Sequence, residues 1–356
     1  MKIRALHLNN IRDFRGEYTL DFVDEFTNEP RPLTVLSGSN GCGKTTVLEA
    51  IGDIFCMPTA KMLTTTPLIR EAQEGGWICA EIEVSNTGED PPDSGGIPPR
   101  IHLGAGNQDL LLGGGKDRWA DGIFATSGMW PSRPVSAPVE RLLTTLARIA
   151  QDRIEPRTGL LYFPSTRQLQ GTQGGPIEPP LHEAAWVETV ATAGPWNGGL
   201  EQYWVWQNYL DLEAGRPDRL SLRPYVERIE RLLGDDRRIF IQQGRVYVTQ
   251  RNPDRPPVRI HELPSGEQQI LLLMGELARH AYPGLVCLID EPEISLHPAL
   301  QHTLAHALRQ FAHENDSQFI LATHSPEIVA ALPGATLFLD RLVARHTVAD
   351  PVAQAA

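Results

Sequence analysis

Residues 38–45, Gly38-Ser39-Asn40-Gly41-Cys42-Gly43-Lys44-Thr45, constrain this chain more than any other stretch. They follow a short apolar run at 33–36 and open a helix predicted from Lys44, the strand, glycine-rich loop and helix context of a P-loop pattern. Glycines let the backbone wrap so that its N–H groups and the helix N-terminus meet phosphate oxygens. Lys44 would supply a point charge to the β- and γ-phosphates and Thr45 a hydroxyl to Mg2+, with Asn40, Gly41, Cys42, Gly43 and Thr46 completing the cradle.

Two later motifs fit the same chemistry. Residues 285–292, Leu-Val-Cys-Leu-Ile-Asp-Glu-Pro, read as an apolar strand ending in two acids, at the carboxyl edge where open α/β sheets place their ligands. Asp290 is expected in the Mg2+ shell, and Glu291 is expected to orient and deprotonate the attacking water. In residues 263–269, Ser265 reads as the N-cap of a helix with Gln268 three residues on, a capping-box arrangement. A helix opening Ser265-Gly266-Glu267 also offers free N–H groups and a positive dipole end that can bind the γ-phosphate of a nucleotide on another subunit.

The rest of the chain reads as one α/β core with a smaller lobe inserted, since 356 residues exceed one ordinary domain without making two full ones. Residues 1–170 form the N-terminal half, with a hairpin at 3–22, strands at 77–84 and 101–112, an antiparallel β lobe over 56–140, a helix over 139–152 and a buried strand at 160–163. Residues 171–262 form a helical lobe, helical from 181 to 234 around Trp186, Trp196, Trp204 and Trp206, and a hairpin (238–241, 245–249) leading back to the core. Residues 263–356 complete the core: a helix over 265–280, a strand at 285–289, a helix over 298–314, and strands at 318–322 and 336–339. Helices alternating with continuously apolar strands imply a parallel sheet covered on both faces.

Composition closes off other classes. No apolar run approaches the roughly 18 residues that span a bilayer, which predicts a cytoplasmic protein with no membrane partner. Cys42, Cys56, Cys79 and Cys287 lack metal-type spacing and suit a reducing compartment. His302 and His306, near His297, lack the glutamate of a zinc-protease pattern, and Leu300, Leu304, Leu308 and Phe311 define the buried face of their helix instead. A net charge of −12 argues against a nucleic-acid footprint over the whole surface. Residues 216–259 are the local exception, with eleven Arg against six acids.

Lys44, the run 265–268, Asp290-Glu291-Pro292, the following 293–298 and Thr323-His324-Ser325 together resemble the P-loop, signature, Walker B, D-loop and switch-histidine motifs of ABC-type ATPases with SMC/RecF-like heads. Among these the pattern resembles the bacterial AAA ATPases that include the ATPase parts of OLD-family nucleases and of Septu-type anti-phage systems. The resemblance implies Mg2+-dependent ATP hydrolysis in a homodimer, with each ATP sandwiched between one subunit's P-loop and the other's signature motif, and two ATPs per dimer. It implies roles for Arg12 of the first hairpin, favoured over Arg15, as a nucleotide contact, for Gln168 as the Mg2+-sensing Q-loop residue, and for His324 as the γ-phosphate contact. The short stretch after His324 leaves no room for a Toprim-like nuclease, so an effector, a nuclease or toxin, is expected in trans. The alternative is a RecF/SMC-like head that clamps duplex DNA in repair or maintenance.

Overall fold

A computed structural model describes residues 1–56, 66–84, 100–112, 119, 122–126, 139–140, 158–169, 171–172, 174–180, 186–190, 192–193, 199–215, 222–234, 236–250, 252 and 254–340. In chain order the strands are β1 (Lys2–Ile11), β2 (Phe14–Asp21), β3 (Leu33–Ser37), β4 (Trp77–Glu83), β5 (Arg100–Gly106), β6 (Gly122–Ala125), β7 (Leu160–Phe163), β8 (Gln168–Leu169), β9 (Val187–Thr189), β10 (Thr192–Ala193), β11 (Ile239–Gln242), β12 (Arg245–Val248), β13 (Val258–Arg259), β14 (Val286–Asp290), β15 (Gln318–Thr323) and β16 (Thr336–Phe338). The helices are α1 (Lys44–Cys56), α2 (Pro67–Gly75), α3 (Gln108–Leu112), α4 (Leu200–Glu213), α5 (Arg223–Leu233), α6 (Ser265–Arg279), α7 (Pro298–Glu314) and α8 (Pro326–Ala331).

Six strands, ordered β16-β3-β15-β14-β7-β9, form a parallel sheet. Every residue of β14 is buried, because side chains alternate between two covered faces. Val286 and Leu288 join the core that packs on α1, whereas Cys287 and Ile289 join the core built with α6 and α7. Burying each of Val286, Leu288 and Ile289 stabilises the fold by roughly 1.5–3 kcal/mol, so the strand that ends in Asp290 is fixed from both sides. The second sheet, β2-β1-β4-β5-β6, is antiparallel except between β5 and β6, and it sandwiches α1 against the parallel sheet. Helix α1 is accordingly apolar around most of its circumference, with Val47, Leu48, Ile51, Ile54 and Phe55 all buried.

Several expectations need correction. The antiparallel sheet is not confined to residues 56–140: its centre is β1 from the N-terminus, which pairs with both β2 and β4. The strand expected over 101–112 stops at Gly106, because the Asn107 side-chain oxygen accepts from the Asp109 and Leu110 N–H groups and so caps α3. Among the described residues of 181–234 the expected continuous helix is interrupted: α4 and α5 are helical, whereas β9 pairs in parallel with β7. Its approach is fixed by Trp186, whose carbonyl accepts from the Gly159 and Leu160 N–H groups, and a Cβ on Gly159 would lie 2.3 Å from the Trp186 ring. The helix expected over 139–152 lies outside the described residues except for 139–140, and Trp196 lies outside them too.

Candidate functional site

The loop between β3 and α1 takes the conformation its glycines allow. Gly41 and Gly43 sit at φ of +80° and +91°, in the left-handed region, and a Cβ on Gly43 would lie 2.5 Å from the Phe14 ring. Lys44 is buried and folds back over the loop, donating to the Gly38 and Ser39 carbonyls at 2.9 Å each. Asp340, just beyond β16, accepts from the Ser39 N–H at 2.7 Å and its hydroxyl at 2.6 Å. Those hydrogen bonds, with a further contribution from the Lys44 charge, hold the Asp340 carboxyl below the usual carboxylate range. Asn40 and Thr45 are exposed at the mouth, whereas Thr46 is buried and its hydroxyl accepts from Arg12 Nη1 at 3.3 Å. Arg12 also pairs with Glu49 at 2.7 Å, so the predicted nucleotide-side arginine is anchored on the first turns of α1.

One strand separates β3 from β14, and across that gap the Thr45 hydroxyl meets Asp290 Oδ2 at 3.0 Å. Burial pushes the Asp290 carboxyl up, and the Thr45 hydrogen bond partly offsets this. Glu291 follows at φ +46°, a conformation costing a non-glycine residue roughly 1–2 kcal/mol, while its N–H donates to the Ala322 carbonyl at 2.8 Å. Strain held at the residue predicted to be the base fits a functional constraint. Glu293 ties the next strand end to this one, accepting from the Thr323 hydroxyl at 2.8 Å and from the His324 N–H at 2.7 Å. The His324 side chain itself is exposed.

Arg167 is the residue that sequence reasoning passed over. Its side chain is 2% exposed, and it donates from Nη1 to the Asp290 carbonyl at 2.6 Å and the Pro164 carbonyl at 3.1 Å, and from Nη2 to the Glu291 carbonyl at 2.9 Å. Burial lowers its pKa to about 10. The predicted Gln168 is next in sequence but exposed in β8. The available signal was position: the segment following β7 leaves the same carboxyl edge as Asp290.

At the start of α6, Ser265 is the first helical residue and Pro264 the N-cap, which corrects the expected Ser265 cap. The Gln268 side chain instead donates to the His261 and Leu263 carbonyls at 2.9 and 2.7 Å, pinning the incoming chain. Ser265 is exposed, whereas Glu267, expected among the nucleotide contacts, is buried in an ion pair with Arg237 at 2.7 Å and turns inward. Gly266 is required by close approach, since a Cβ there would sit 2.6 Å from the Ser295 carbonyl oxygen. Ser295 itself has φ +62°. No hydrogen bond joins Ser265 or Gly266 to the P-loop of the same chain among the described residues.

Those described residues contain no group of three or more His, Cys, Asp or Glu placed to hold a metal, and no helix long and apolar enough to cross a membrane. Residues 186–330 match the family model described as "AAA domain, putative AbiEii toxin, Type IV TA system", and residues 5–61 match one described as "AAA domain". No protein of curated function matches the chain. Similar solved structures include the Smc head domain with an extended coiled coil bound to the C-terminal domain of ScpA, derived from Pyrococcus furiosus. It is 12% identical with a TM-score of 0.50, over 93% of this chain and 91% of that one. The SMC head domain from Thermotoga maritima is 13% identical with a TM-score of 0.43, over 94% and 93% of the two chains. The fold is an α/β P-loop NTPase with a parallel core sheet, resembling an SMC head.

Proposed function

We propose that this chain is a cytoplasmic Mg2+-dependent ATPase that hydrolyses ATP held between two copies arranged head to tail. We place it as the regulatory or motor subunit of a bacterial anti-phage defence complex whose effector, a nuclease or toxin, is supplied in trans. One observation carries the ATPase reading: the P-loop hydroxyl of Thr45 meets Asp290 at 3.0 Å, with Glu291 as the next residue. The donor set fits Mg2+, a hard ion that favours oxygen ligands and keeps several waters, because a hydroxyl and a carboxylate converge there. Bound by Thr45 and Asp290, with Gln168 as a further ligand, Mg2+ would neutralise charge on the β- and γ-phosphate oxygens.

The chain's own groups divide the remaining work. Lys44 exchanges the Gly38 and Ser39 carbonyls for phosphate oxygens, and the N–H groups of residues 40–46 line the cradle. Glu291 orients the attacking water and takes its proton. His324, with its backbone held by Glu293, contacts the γ-phosphate. Ser265 and Gly266 present the exposed N-terminus of α6 to the γ-phosphate of a nucleotide on the second copy, where the helix dipole favours negative charge. Arg12, held from the β1–β2 turn against Thr46 and Glu49 of α1, would contact the nucleotide.

The family model's description, which names AbiEii toxin and a toxin–antitoxin system, supports a defence role. Pairing within the basic stretch 216–259 also favours a protein effector over DNA: Arg223 bonds Glu227, Arg228 bonds Glu314, Arg237 bonds Glu267 and Arg259 bonds Glu201. The test is Glu291→Gln. This variant should bind ATP and accumulate as a dimer by light scattering, while turnover falls by about 100-fold or more. Parental turnover would remove Glu291 as the base. Tight binding of that dimer to a fluorescent DNA duplex at physiological salt would make DNA the partner, since each neutralised phosphate adds about 0.9 to the salt slope.

A further inference from the structure

We propose that Arg167 is a positioning residue that links the signature helix of a subunit to that subunit's own hydrolytic glutamate, so that docking of α6 on a partner's nucleotide sets the geometry of Glu291. The inference rests on the ATPase reading above and concerns the regulation of the same site.

Arg167 makes two sets of contacts. Its guanidinium grips the carbonyls of Asp290 and Glu291 at 2.6 and 2.9 Å, the two peptide units that orient the acids at the end of β14. Its own carbonyl accepts from Gln269 Nε2 at 3.3 Å, and Gln269 lies in the second turn of α6, one turn from the exposed Ser265. A buried, charged fork on two successive carbonyls fixes the peptide planes on either side of the Glu291 Cα, and Glu291 sits there at φ +46°. The fork therefore holds this glutamate in a conformation it would otherwise avoid.

The link also has an unused half. Arg167 Nε, a donor, and Gln269 Oε1, an acceptor, are both buried and unpartnered among the described residues. Buried polar atoms of native proteins nearly always find a partner, and here a complementary donor and acceptor sit on two residues already in contact, the pair that a second arrangement would join. In that arrangement Arg167 Nε–H donates to Gln269 Oε1, and the guanidinium turns relative to the two carbonyls. Movement of the α6 N-terminus on a partner's phosphate is then felt at Glu291 through two side chains in series, Gln269 and Arg167. Arg167 has no hydrogen bond to the P-loop among the described residues, so nucleotide affinity is not its task.

The test compares the parental protein with Arg167→Ala, Arg167→Lys, Gln269→Leu and the Arg167→Ala/Gln269→Leu double variant. It measures binding of a fluorescent ATP analogue, kcat and KM, and the melting temperature. For Arg167→Ala, analogue binding should stay within about threefold while kcat falls on the order of 100-fold, the effect of misplacing a reacting group by about 1 Å. Arg167→Lys keeps the charge but loses the two-pronged grip and should be intermediate. Gln269→Leu should lower kcat about tenfold, and the double variant should be no slower than Arg167→Ala alone, because the two residues act in series. Parental kcat in Arg167→Ala, or multiplicative losses in the double variant, would overturn the link. So would a loss in Arg167→Lys accompanied by weakened analogue binding and a lowered melting temperature, because the role would then be structural. A parental protein that binds the analogue without turnover would overturn the ATPase reading itself, which separates the two failures.

Discussion

The two edges that would face each other across a nucleotide are built on opposite principles. The P-loop edge is held against its own preferences: Glu291 is left-handed, Asp290 is buried with its carboxyl pushed up, and Lys44 is bent onto its own loop carbonyls. The signature edge is held mainly by paired groups, with the left-handed Ser295 at φ +62° packed beside it. Its Glu267 is neutralised by Arg237, its Gln268 is satisfied by two carbonyls, and Pro264 and Ser265 stand exposed at the head of a four-turn helix. The contrast teaches how one chain stays poised. Strain and desolvation sit where the proposed chemistry would happen, and the group that would complete the site is a preformed dipole that needs no rearrangement before it binds.

The largest effect that could break this comparison is at Lys44. Lys44→Ala should weaken ATP binding by at least about 100-fold in a fluorescence titration, since a charged hydrogen-bonding group is worth roughly 1.5–3 kcal/mol and the lysine would face two phosphates of a bound nucleotide. Binding within a few-fold of parental would mean that the lysine stays on its own loop carbonyls in the nucleotide-bound state.

Gly266→Ala probes the other edge. The new Cβ would meet the Ser295 carbonyl at 2.6 Å, and overpacking of this kind costs typically 1–3 kcal/mol. Monomer nucleotide affinity should be unchanged, while ATP-dependent dimerisation and turnover fall about tenfold or more. An alanine variant that dimerises normally would show that the D-loop contact yields freely and that the edge is not preformed.

The smallest expected effect lies away from both edges, at the bond between Arg228 of α5 and Glu314 of α7. That hydrogen bond lowers the Glu314 pKa, with Gln310 adding to the effect. A carboxylate depressed in this way contributes stability above its ordinary pKa and loses it as pH falls through the folded value. The Glu314 side chain is 42% exposed, so after allowing for solvent screening Glu314→Gln should cost only about 0.5 kcal/mol in a urea melt at pH 7. The difference should vanish at pH values below the depressed pKa and shrink in 1 M salt, with turnover unaffected. A turnover defect would mean that the α5–α7 contact transmits to the site, and the two edges would not be the whole of the machinery.

Much of the framework was legible in the sequence because it rests on local rules. The P-loop, β3, α1, β14, α7 and β15 follow from glycine placement, continuous apolar strands and helical spacing, and they appear within a residue or two of expectation. Asp290 and Thr45 do come together, as motifs one strand apart at the carboxyl edge of one sheet should. The residues that escaped are those whose partners are remote in sequence. Nothing local to Arg167 says that it will reach carbonyls 123 and 124 positions away, or that Asp340 will bond Ser39 across 301. Likewise nothing near Glu267 in sequence says that the fold will set Arg237 beside it.

By itself, then, the sequence determined which elements form and which chemical groups the site contains, because backbone conformation and burial periodicity are encoded within a few neighbouring residues. Tertiary structure alone decided which charged groups face outward and which are consumed inside. A buried charge must find a partner wherever the packed chain supplies one, and that partner is chosen by the fold rather than by the neighbourhood in sequence.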